Sequence, residues 1–345
     1  MILQFSCIDP INLTLEDKEE FLVVDGSFSA DTGPHRLKLY FATGQRVKAQ
    51  RPVSNAAITL FEESAVFGQY TETSPGNYEL GNGSVAGGSV GKSYHINIEL
   101  ENGASFQSQP DILPQRIQGD SVFFTYAYKD EPTPAGLVRR PYVDVFTATP
   151  LPEQGSDYWL KWVVNTMYSF PEVVCSPLGP PPDICYIRVD DDQQEIQLLD
   201  GNNVNASYLP EWKVGEKILP PSDFEYRGKH YFLVNQQSIT KDAYDYWRKI
   251  NLIANQSGSI FDAPPAAVPG NVYNINDPNQ VVLGYFELSN TDSLRGFITE
   301  GDFFDFYKFT SNVCEDAGNP FAQNQRACCF CTIIDNGTTI RPEWW

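Results

Sequence analysis

In the stretch Ser93-Tyr-His-Ile-Asn-Ile-Glu-Leu-Glu-Asn-Gly103-Ala-Ser-Phe-Gln-Ser108, polar and apolar side chains alternate on both sides of a central Asn-Gly pair. Alternation with a period of two is typical of a β-strand that is buried on one face. An Asn-Gly pair between two such segments is the strongest short-range signal for a β-hairpin, because both turn positions need residues that accept positive φ. The stretch therefore predicts two antiparallel strands and indicates a β fold class.

Segments with the same alternation precede this hairpin at short intervals. They begin near Phe21, Arg36, Ala57 and Gly76, with turn-forming residues between them. About seven short strands in one such region are typical of a small β-sandwich. We therefore predict an immunoglobulin-like or transthyretin-like β-sandwich over residues 19–114, which ends at the proline-flanked segment 110–114.

Residues 115–345 are predicted to form a larger β-rich domain with one prominent α-helix and a cysteine-rich C-terminal tail. Further strand-like segments begin near Ser121, Tyr142, Tyr158, Tyr231 and Val281. The helix is predicted over residues 240–257, because Ser238 or Thr240 can cap its start and Gly258 ends it. Apolar residues recur along it at three- and four-residue spacing: Ala243, Tyr246, Trp247, Ile250, Ile253 and Ala254. This stripe indicates packing of one helix face on a core.

The N-terminal residues 1–18 are interpreted as a signal remnant, a lipidated cysteine and a tether. Ser6-Cys7 follows a short apolar segment that is smaller than the hydrophobic region of about 7–15 residues in a complete secretory signal. Cys7 is the predicted lipidation site, and a buried or disulfide-bonded cysteine is the alternative. No run approaches the roughly 18 apolar residues of a membrane-spanning helix, so membrane attachment is expected through the lipid.

Charge argues against several classes of partner. The 345 residues contain 24 Lys and Arg against 44 Asp and Glu, which gives a net charge of −20 at pH 7. An excess of negative charge repels phosphate backbones and anionic bilayers. We therefore expect no nucleic-acid partner and no electrostatic binding to a membrane.

Six further cysteines are candidates for disulfide bonds: Cys175, Cys185, Cys314, Cys328, Cys329 and Cys331. An even set favours an exported, oxidising compartment. A bridge between Cys175 and Cys185 is predicted because these residues flank a proline-rich loop, and the pairing of the others stays open. The two-residue spacing of Cys328 and Cys331 fits zinc, but adjacent cysteines cannot easily face one ion, so no metal site is predicted.

Two glycine-rich motifs suggest nucleotide binding or nucleophilic catalysis, but the residues that follow them do not support either role. Residues 86–93 fit a relaxed phosphate-binding loop, and residues 87–91 within them fit a nucleophile elbow. Both motifs require a helix directly after the loop, whereas an alternating strand follows here. The three histidines, His35, His95 and His230, are isolated in the sequence. We predict no catalytic residues and no cofactor.

Several motifs together resemble a known family. They include Leu22–Gly26, Pro52–Ala56, Asp120–Val122, Ala243–Trp247, Gly258–Val272, Leu283–Phe286 and Gly337–Trp345. They are similar to a Bacteroidota family of cell-envelope proteins catalogued as domain of unknown function 4249. The resemblance spans essentially the whole chain and implies an outer-membrane lipoprotein that is encoded beside TonB-dependent receptors. It supplies no catalytic residues.

The expected function is that of a non-enzymatic accessory or ligand-binding partner of a TonB-dependent transporter, lipid-anchored at the outer membrane. The loop 261–272 is the predicted docking surface, with Phe261, Pro264, Pro265 and Val268 as the contact residues. A loop packed across its own domain is the alternative interpretation. A structural or adhesive envelope module and a glycan or peptide hydrolase are the alternative functions, and a hydrolase would need paired carboxylates in a cleft.

Overall fold

The computed structural model describes residues 20–43, 50–81, 85–133, 136–172, 181–189, 196–218, 229–256, 268–299, 302, 331–334 and 336–342. These ranges contain nineteen β-strands and the helix α1 (Lys241–Gln256). The prediction of a mainly β protein with sandwich-like sheets and a prominent helix is therefore confirmed. The helix begins one residue after its predicted start, and residue 257, its predicted end, lies outside the described residues.

The N-terminal part contains nine strands. They are β1 (Glu20–Phe28), β2 (Arg36–Thr43), β3 (Arg51–Pro52), β4 (Ala57–Glu62), β5 (Ala65–Ser74), β6 (Asn77–Leu80), β7 (Ser93–Glu99), β8 (Ser105–Ser108) and β9 (Asp111–Ile112). The predicted hairpin is formed by β7 and β8, which pair antiparallel. Gly103 has φ of 83° in its turn, and the Asn102 side chain accepts a hydrogen bond from the amide of Ala104.

Ten strands follow in the rest of the described chain. They are β10 (Ser121–Thr133), β11 (Gly136–Pro150), β12 (Trp159–Pro171), β13 (Ile184–Val189), β14 (Gln197–Asp200), β15 (Tyr208–Ile218), β16 (His230–Ile239), β17 (Val272–Asn274), β18 (Val282–Ile298) and β19 (Gly337–Thr338). Strands β10, β11 and β15 form a separate three-stranded sheet. All the other strands belong to one large sheet.

Strand β18 joins the two halves of the large sheet. Its first residues, from Val282 to Leu288, pair in parallel with β1, and its later residues, from Ser289 to Ile298, pair antiparallel with β16. The sheet order is β17-β8-β7-β4-β5-β6-β2-β1-β18-β16-β12-β13-β19. One long strand therefore carries hydrogen bonds to both the N-terminal and the C-terminal part of the molecule.

Two principal hydrophobic cores lie on either side of this junction. The first is built from alternate residues of β1, β2, β4 and β6 to β8, and it includes Val272, Val282, Phe286 and Leu288 from late in the sequence. The second fills the space between the three-stranded sheet and strands β12, β16 and β18, around Trp162 and Phe232. Residues 272–288 thus complete the first core although the sequence places them beyond residue 114.

The helix α1 packs where the two cores meet. Thr240 is its cap, because the Thr240 hydroxyl accepts a hydrogen bond from the amide of Ala243 at 3.3 Å. Ala243 is fully buried, and Tyr246 and Trp247 pack with it against Ile239 and Tyr285. The predicted packing role of the aromatic stripe is confirmed for these three residues.

The predicted bridge between Cys175 and Cys185 is wrong, because Cys185 on β13 is bonded to Cys331. Their Cα atoms lie 5.5 Å apart, and both residues are fully buried. Strand β19 pairs with β13, which brings the C-terminal tail beside Cys185. Chain topology, and not closeness in sequence, selects the partner. Cys175, Cys314, Cys328 and Cys329 lie outside the described residues.

Burial of His35 makes the stability of the first core sensitive to pH. Its ring contacts Phe28 at 4.6 Å between ring centres, and its Nε2 atom is buried without a hydrogen-bond partner among the described residues. Burial lowers the pKa of His35 from its ordinary value of 6.5, although Asp31 opposes this. The unfolded chain therefore takes up a proton near pH 6.5 that the folded protein still excludes. Folding stability is lost as the pH falls below that value.

Replacing His35 with Gln should weaken this pH dependence. We expect the melting temperature of the wild-type protein to fall between about pH 7.5 and about pH 5.5, and the fall to be smaller in the variant. Thermal unfolding followed by circular dichroism at both pH values measures the difference. An equal fall in both proteins would show that His35 does not cause it.

Candidate functional site

A groove of about 650 Å³ lies where the two cores meet. It is lined by residues of β1, β2, β5 and β6 from one side, of β12 and β16 from the other, and of β18 and α1 between them. The lining residues are Asp25, Gly26, Ser27, Arg36, Leu37, Lys38, Thr73, Asn77, Tyr78, Glu79, Lys161, Val163, Gln237, Trp247, Tyr285 and Glu287. We call this the junction groove.

Strand periodicity explains why charged side chains line the junction groove. In β12, Leu160, Trp162 and Val164 face the second core, so that Lys161 and Val163 lie on the opposite face of the strand. In β2, Leu37 and Leu39 are buried in the first core, which places Arg36 and Lys38 on the other face. Each strand therefore contributes core residues on one face and groove residues on the other.

Three side chains form a cluster at the floor of the junction groove, in which Lys161 and Glu287 are buried and Trp247 is half-buried. Lys161 Nζ lies 2.6 Å from Glu287 Oε2, and Trp247 Nε1 donates a hydrogen bond to the same oxygen at 2.6 Å. Lys161 Nζ also lies 4.4 Å from the centre of the Trp247 ring. Both charged side chains are 6% exposed. These three residues link β12, β18 and α1, and their contacts fix the position of the indole ring.

The wall formed by the first core carries charges that are exposed to solvent. Arg36 Nε lies 2.9 Å from Glu79 Oε1, and Lys38 Nζ donates a hydrogen bond to the side chain of Gln50 at 2.8 Å. Asp25 lies directly across from Lys38 in the β1–β2 register. The groove thus contains three cations, Arg36, Lys38 and Lys161, and three carboxylates, Asp25, Glu79 and Glu287. Its formal charge is zero in a chain whose net charge is −20.

Two adjacent glutamines of β16 have opposite surroundings. Gln236 is buried in the second core, where its carbonyl oxygen accepts hydrogen bonds from Thr149 and Trp162 and its amide donates to the Ile117 carbonyl. Gln237 lines the junction groove, and its Oε1 atom is buried without a hydrogen-bond partner among the described residues. A buried acceptor without a partner costs free energy, so this atom is suited to a donor from a ligand or solvent.

Aromatic rings form another part of the groove boundary. The ring of Tyr285 lines the groove and packs on Tyr246 at 4.7 Å between ring centres. Burial, with smaller contributions from Asp25 and Tyr40, raises the pKa of Tyr246 to about 12. Its hydroxyl therefore stays protonated and neutral at physiological pH.

The junction groove continues onto an exposed sheet face. Beyond Lys161, the outward residues of β12, β16 and β18 lie side by side in rows that the strand register defines. These residues are Val163, Asn165, Met167, Tyr231, Leu233, Asn235, Ser293, Arg295 and Phe297, and each is exposed or half-buried. We call this surface the outer face.

The far end of the outer face is aromatic. Tyr231 and Phe297 contact each other at 5.4 Å between ring centres, and Phe297 is 47% exposed. Lys229 Nζ lies 4.5 Å from the centre of the Phe297 ring. Between this end and the groove, Ser293 donates a hydrogen bond to the side-chain oxygen of Asn235 at 2.8 Å. The outer face thus combines amide and hydroxyl groups and the exposed Arg295 guanidinium with aromatic rings that are exposed or half-buried.

The predicted docking and lipidation sites are for the most part outside the described residues. Cys7, Phe261, Pro264 and Pro265 all fall there. Val268 is half-buried, and the residues that follow it are attached to β18, since the Gly270 amide donates to the Val282 carbonyl at 3.1 Å. The role of this loop in docking stays a prediction.

The backbone at Gly270 approaches β18 so closely that a side chain would not fit. An added Cβ atom would lie 1.7 Å from the carbonyl oxygen of Gly284. This contact holds the C-terminal end of the predicted docking loop against the strand that joins the two cores.

The glycine-rich motifs are followed by a β-strand and not by a helix, as the sequence predicted. Strand β7 follows Lys92 directly, and Lys92 Nζ lies 2.8 Å from Glu63. A Cβ atom added at Gly88 would lie 2.6 Å from the Phe28 ring, so close packing requires glycine there. Within the described ranges, no cluster of three or more His, Cys, Asp or Glu residues could hold a metal ion.

No helix in the described part of the chain has both the length and the apolar character needed to cross a membrane.

The junction groove could not be predicted from the sequence. Its charged residues come from strands that are far apart in the chain, with Lys161 and Glu287 separated by 126 positions. A weak signal exists in the sequence, because Lys161 and Glu287 each interrupt an otherwise apolar strand segment. A charge in such a position needs a partner when it is buried, but one sequence does not reveal which partner it has.

The comparison with family models gives a match over nearly the whole described chain. The family described as Domain of unknown function (DUF4249) matches residues 8–295, and this span contains every residue that lines the junction groove. Neither the curated proteins nor the solved structures include a significant match to the sequence. The chain belongs to the family defined by this domain of unknown function, DUF4249.

Proposed function

We propose that this protein is an outer-membrane lipoprotein of a member of the Bacteroidota, anchored through Cys7, which binds a polar ligand as a non-enzymatic accessory of a TonB-dependent transporter. The junction groove is the binding site in this proposal. Family membership supports the proposal, because the motifs quoted above resemble envelope proteins encoded beside such transporters.

The binding role rests on one observation: charged side chains of the junction groove are already paired with other residues of the same chain. The Glu287 carboxylate already accepts hydrogen bonds from Lys161 and Trp247, and Glu79 is paired with Arg36. Charged groups that are held by their own chain act as a fixed framework for a ligand. A hydrolase, in contrast, needs two carboxyl groups that converge on a substrate bond. The arrangement therefore favours binding over turnover.

The position of the junction groove also suits an accessory protein. Because β18 and α1 contribute to both its floor and the contact between the two cores, a ligand in the groove would contact both halves of the molecule. The rigid sheet keeps the side chains in place before binding, which reduces the entropy lost on association.

Affinity purification from the native envelope tests the proposal. The tagged full-length protein should co-purify with a TonB-dependent outer-membrane barrel after detergent extraction. A Cys7→Ala variant should move from the membrane fraction to the soluble exported fraction and lose most of the barrel, because the lipid anchor is gone. The matched control Ser6→Ala should behave as the wild-type protein does. A Cys7→Ala protein that stays in the membrane, or a wild-type protein that purifies without a barrel, would contradict the proposal.

A further inference from the structure

We infer that the junction groove and the outer face together bind a neutral oligosaccharide chain. The inference rests on the proposed ligand-binding function and names the class of ligand. It is based on the charge balance of the groove, the hydrogen-bonding groups of both surfaces, and the accessible aromatic rings.

Charge balance within the junction groove favours an uncharged ligand group there. The three cations and three carboxylates of the groove cancel, and the buried pair of Lys161 and Glu287 already satisfies both of its members. An ionic ligand group at the floor would have to separate this pair and leave one charge buried without its partner, which is costly. A ligand whose groups are polar but neutral avoids this cost.

The hydrogen-bonding groups favour a ligand that is rich in hydroxyls. The buried Oε1 atom of Gln237 is an acceptor without a partner among the described residues. On the outer face, the Asn165 side chain has both a donor and an acceptor, and Asn235 has amide N–H donors beside an oxygen that already accepts a hydrogen bond from Ser293. A hydroxyl group donates one hydrogen bond and accepts others, so a row of hydroxyls can pair with a row of amides.

The aromatic rings supply the other half of the recognition. Sugar rings present an apolar face of C–H groups, which packs on an aromatic ring, and a rim of hydroxyls. Tyr231 and Phe297 lie at one end of the surface, and Trp247 and Tyr285 lie in the groove at the other. Between Lys161 and Met167 the strand extends by about 20 Å, which is the length of a short chain of sugar units and not of a single one.

A peptide is a poorer match for this surface. Extended peptides bind mainly by adding a strand to a free sheet edge, where backbone groups are available. Here β16 is paired on both sides, with β12 and β18, and β12 is also paired with β13 and β14. A ligand that lies across β12 and β16 must therefore be recognised by side chains, as the amides and aromatic rings would do.

The test is calorimetric titration of the purified protein with neutral hexasaccharides of glucose, xylose, mannose and galactose, and with the corresponding monosaccharides. We expect at least one hexasaccharide to bind and its monosaccharide to bind at least about tenfold more weakly, since the surface spans several units. Failure of every neutral hexasaccharide to bind the folded protein would overturn the inference. Preferential binding of an oligogalacturonate or of a peptide pool would also overturn it.

Three variants locate the site. Gln237→Leu removes the unpartnered acceptor, and Phe297→Ser removes an exposed ring, so each should weaken binding by about tenfold or more. Val66→Ser is the control, because Val66 is 63% exposed on β5 and does not line the groove. Melting temperatures show whether each variant is folded. Binding that survives both Gln237→Leu and Phe297→Ser in folded proteins would contradict the assigned site.

This test is independent of the purification experiment. A barrel partner without oligosaccharide binding would leave the accessory function standing and remove the ligand assignment. Oligosaccharide binding without a barrel partner would support the assigned ligand and remove the transporter from the proposal.

Discussion

Replacing Lys161 with methionine should lower the free energy of unfolding by about 3–5 kcal/mol, because the change leaves Glu287 buried without its cation. The side chains of Lys161 and Glu287 are each 6% exposed, and the ion pair connects β12 to β18 at the junction of the two cores. Methionine keeps most of the volume of the lysine stem, so the loss arises from the charge. Urea unfolding at neutral pH, followed by circular dichroism and tryptophan fluorescence, measures it.

Two further variants separate the ion pair from general effects of mutation. Changing Glu287 to Leu together with Lys161→Met should recover much of the lost stability, since apolar replacement of a whole buried pair is often neutral or stabilising. The matched exposed pair is Arg36 with Glu79, in which the Arg36 side chain is 72% exposed. Arg36→Met should cost less than about 1 kcal/mol. A similar cost for Lys161→Met and Arg36→Met would show that burial does not strengthen the inner pair.

Removing the bridge between Cys185 and Cys331 by a double change to alanine should lower the free energy of unfolding by about 2–5 kcal/mol. The bridge joins residues 146 positions apart, and closing so long a loop restricts the unfolded chain strongly. Denaturant unfolding of the oxidised wild-type protein and the variant gives the difference.

Peptide mapping without reduction identifies the bridge itself. We expect a linked peptide that contains Cys185 and Cys331, and its loss in the double variant. A peptide that links Cys185 to Cys175 would contradict the observed pairing, and a variant as stable as the wild-type protein would show that the bridge contributes nothing to folding.

Local sequence was sufficient for part of the secondary structure, although the strands β13, β14, β15 and β17 were not predicted from it. Alternation around Asn102-Gly103 specified the β7–β8 hairpin, since the tight turn and the period of two act within a few residues. The same holds for α1, where three- and four-residue spacing placed Ala243, Tyr246 and Trp247 on the buried face. These features depend on neighbouring residues, and a single sequence contains all of them.

Pairing between strands that are far apart in the sequence decided the sheet order, the composition of the first core and the disulfide partner. No local signal in the sequence predicts that β1 pairs in parallel with β18, because parallel strands are paired across long connections. The same is true of residues 272–288, which belong to the first core. The bond between Cys185 and Cys331 has the same origin, since β19 reaches β13 only in the folded chain.

The sequence by itself determined the fold class, the hairpin, the helix and the family resemblance, because each depends on the periodicity or motifs of contiguous segments. Only the tertiary structure decided the junction groove. Its side chains belong to seven strands and one helix, and Lys161, Trp247 and Glu287 become neighbours only when β18 spans both cores. Strand periodicity indicates which face of a sheet a residue occupies. The packing of the two cores determines which strand lies next to that residue.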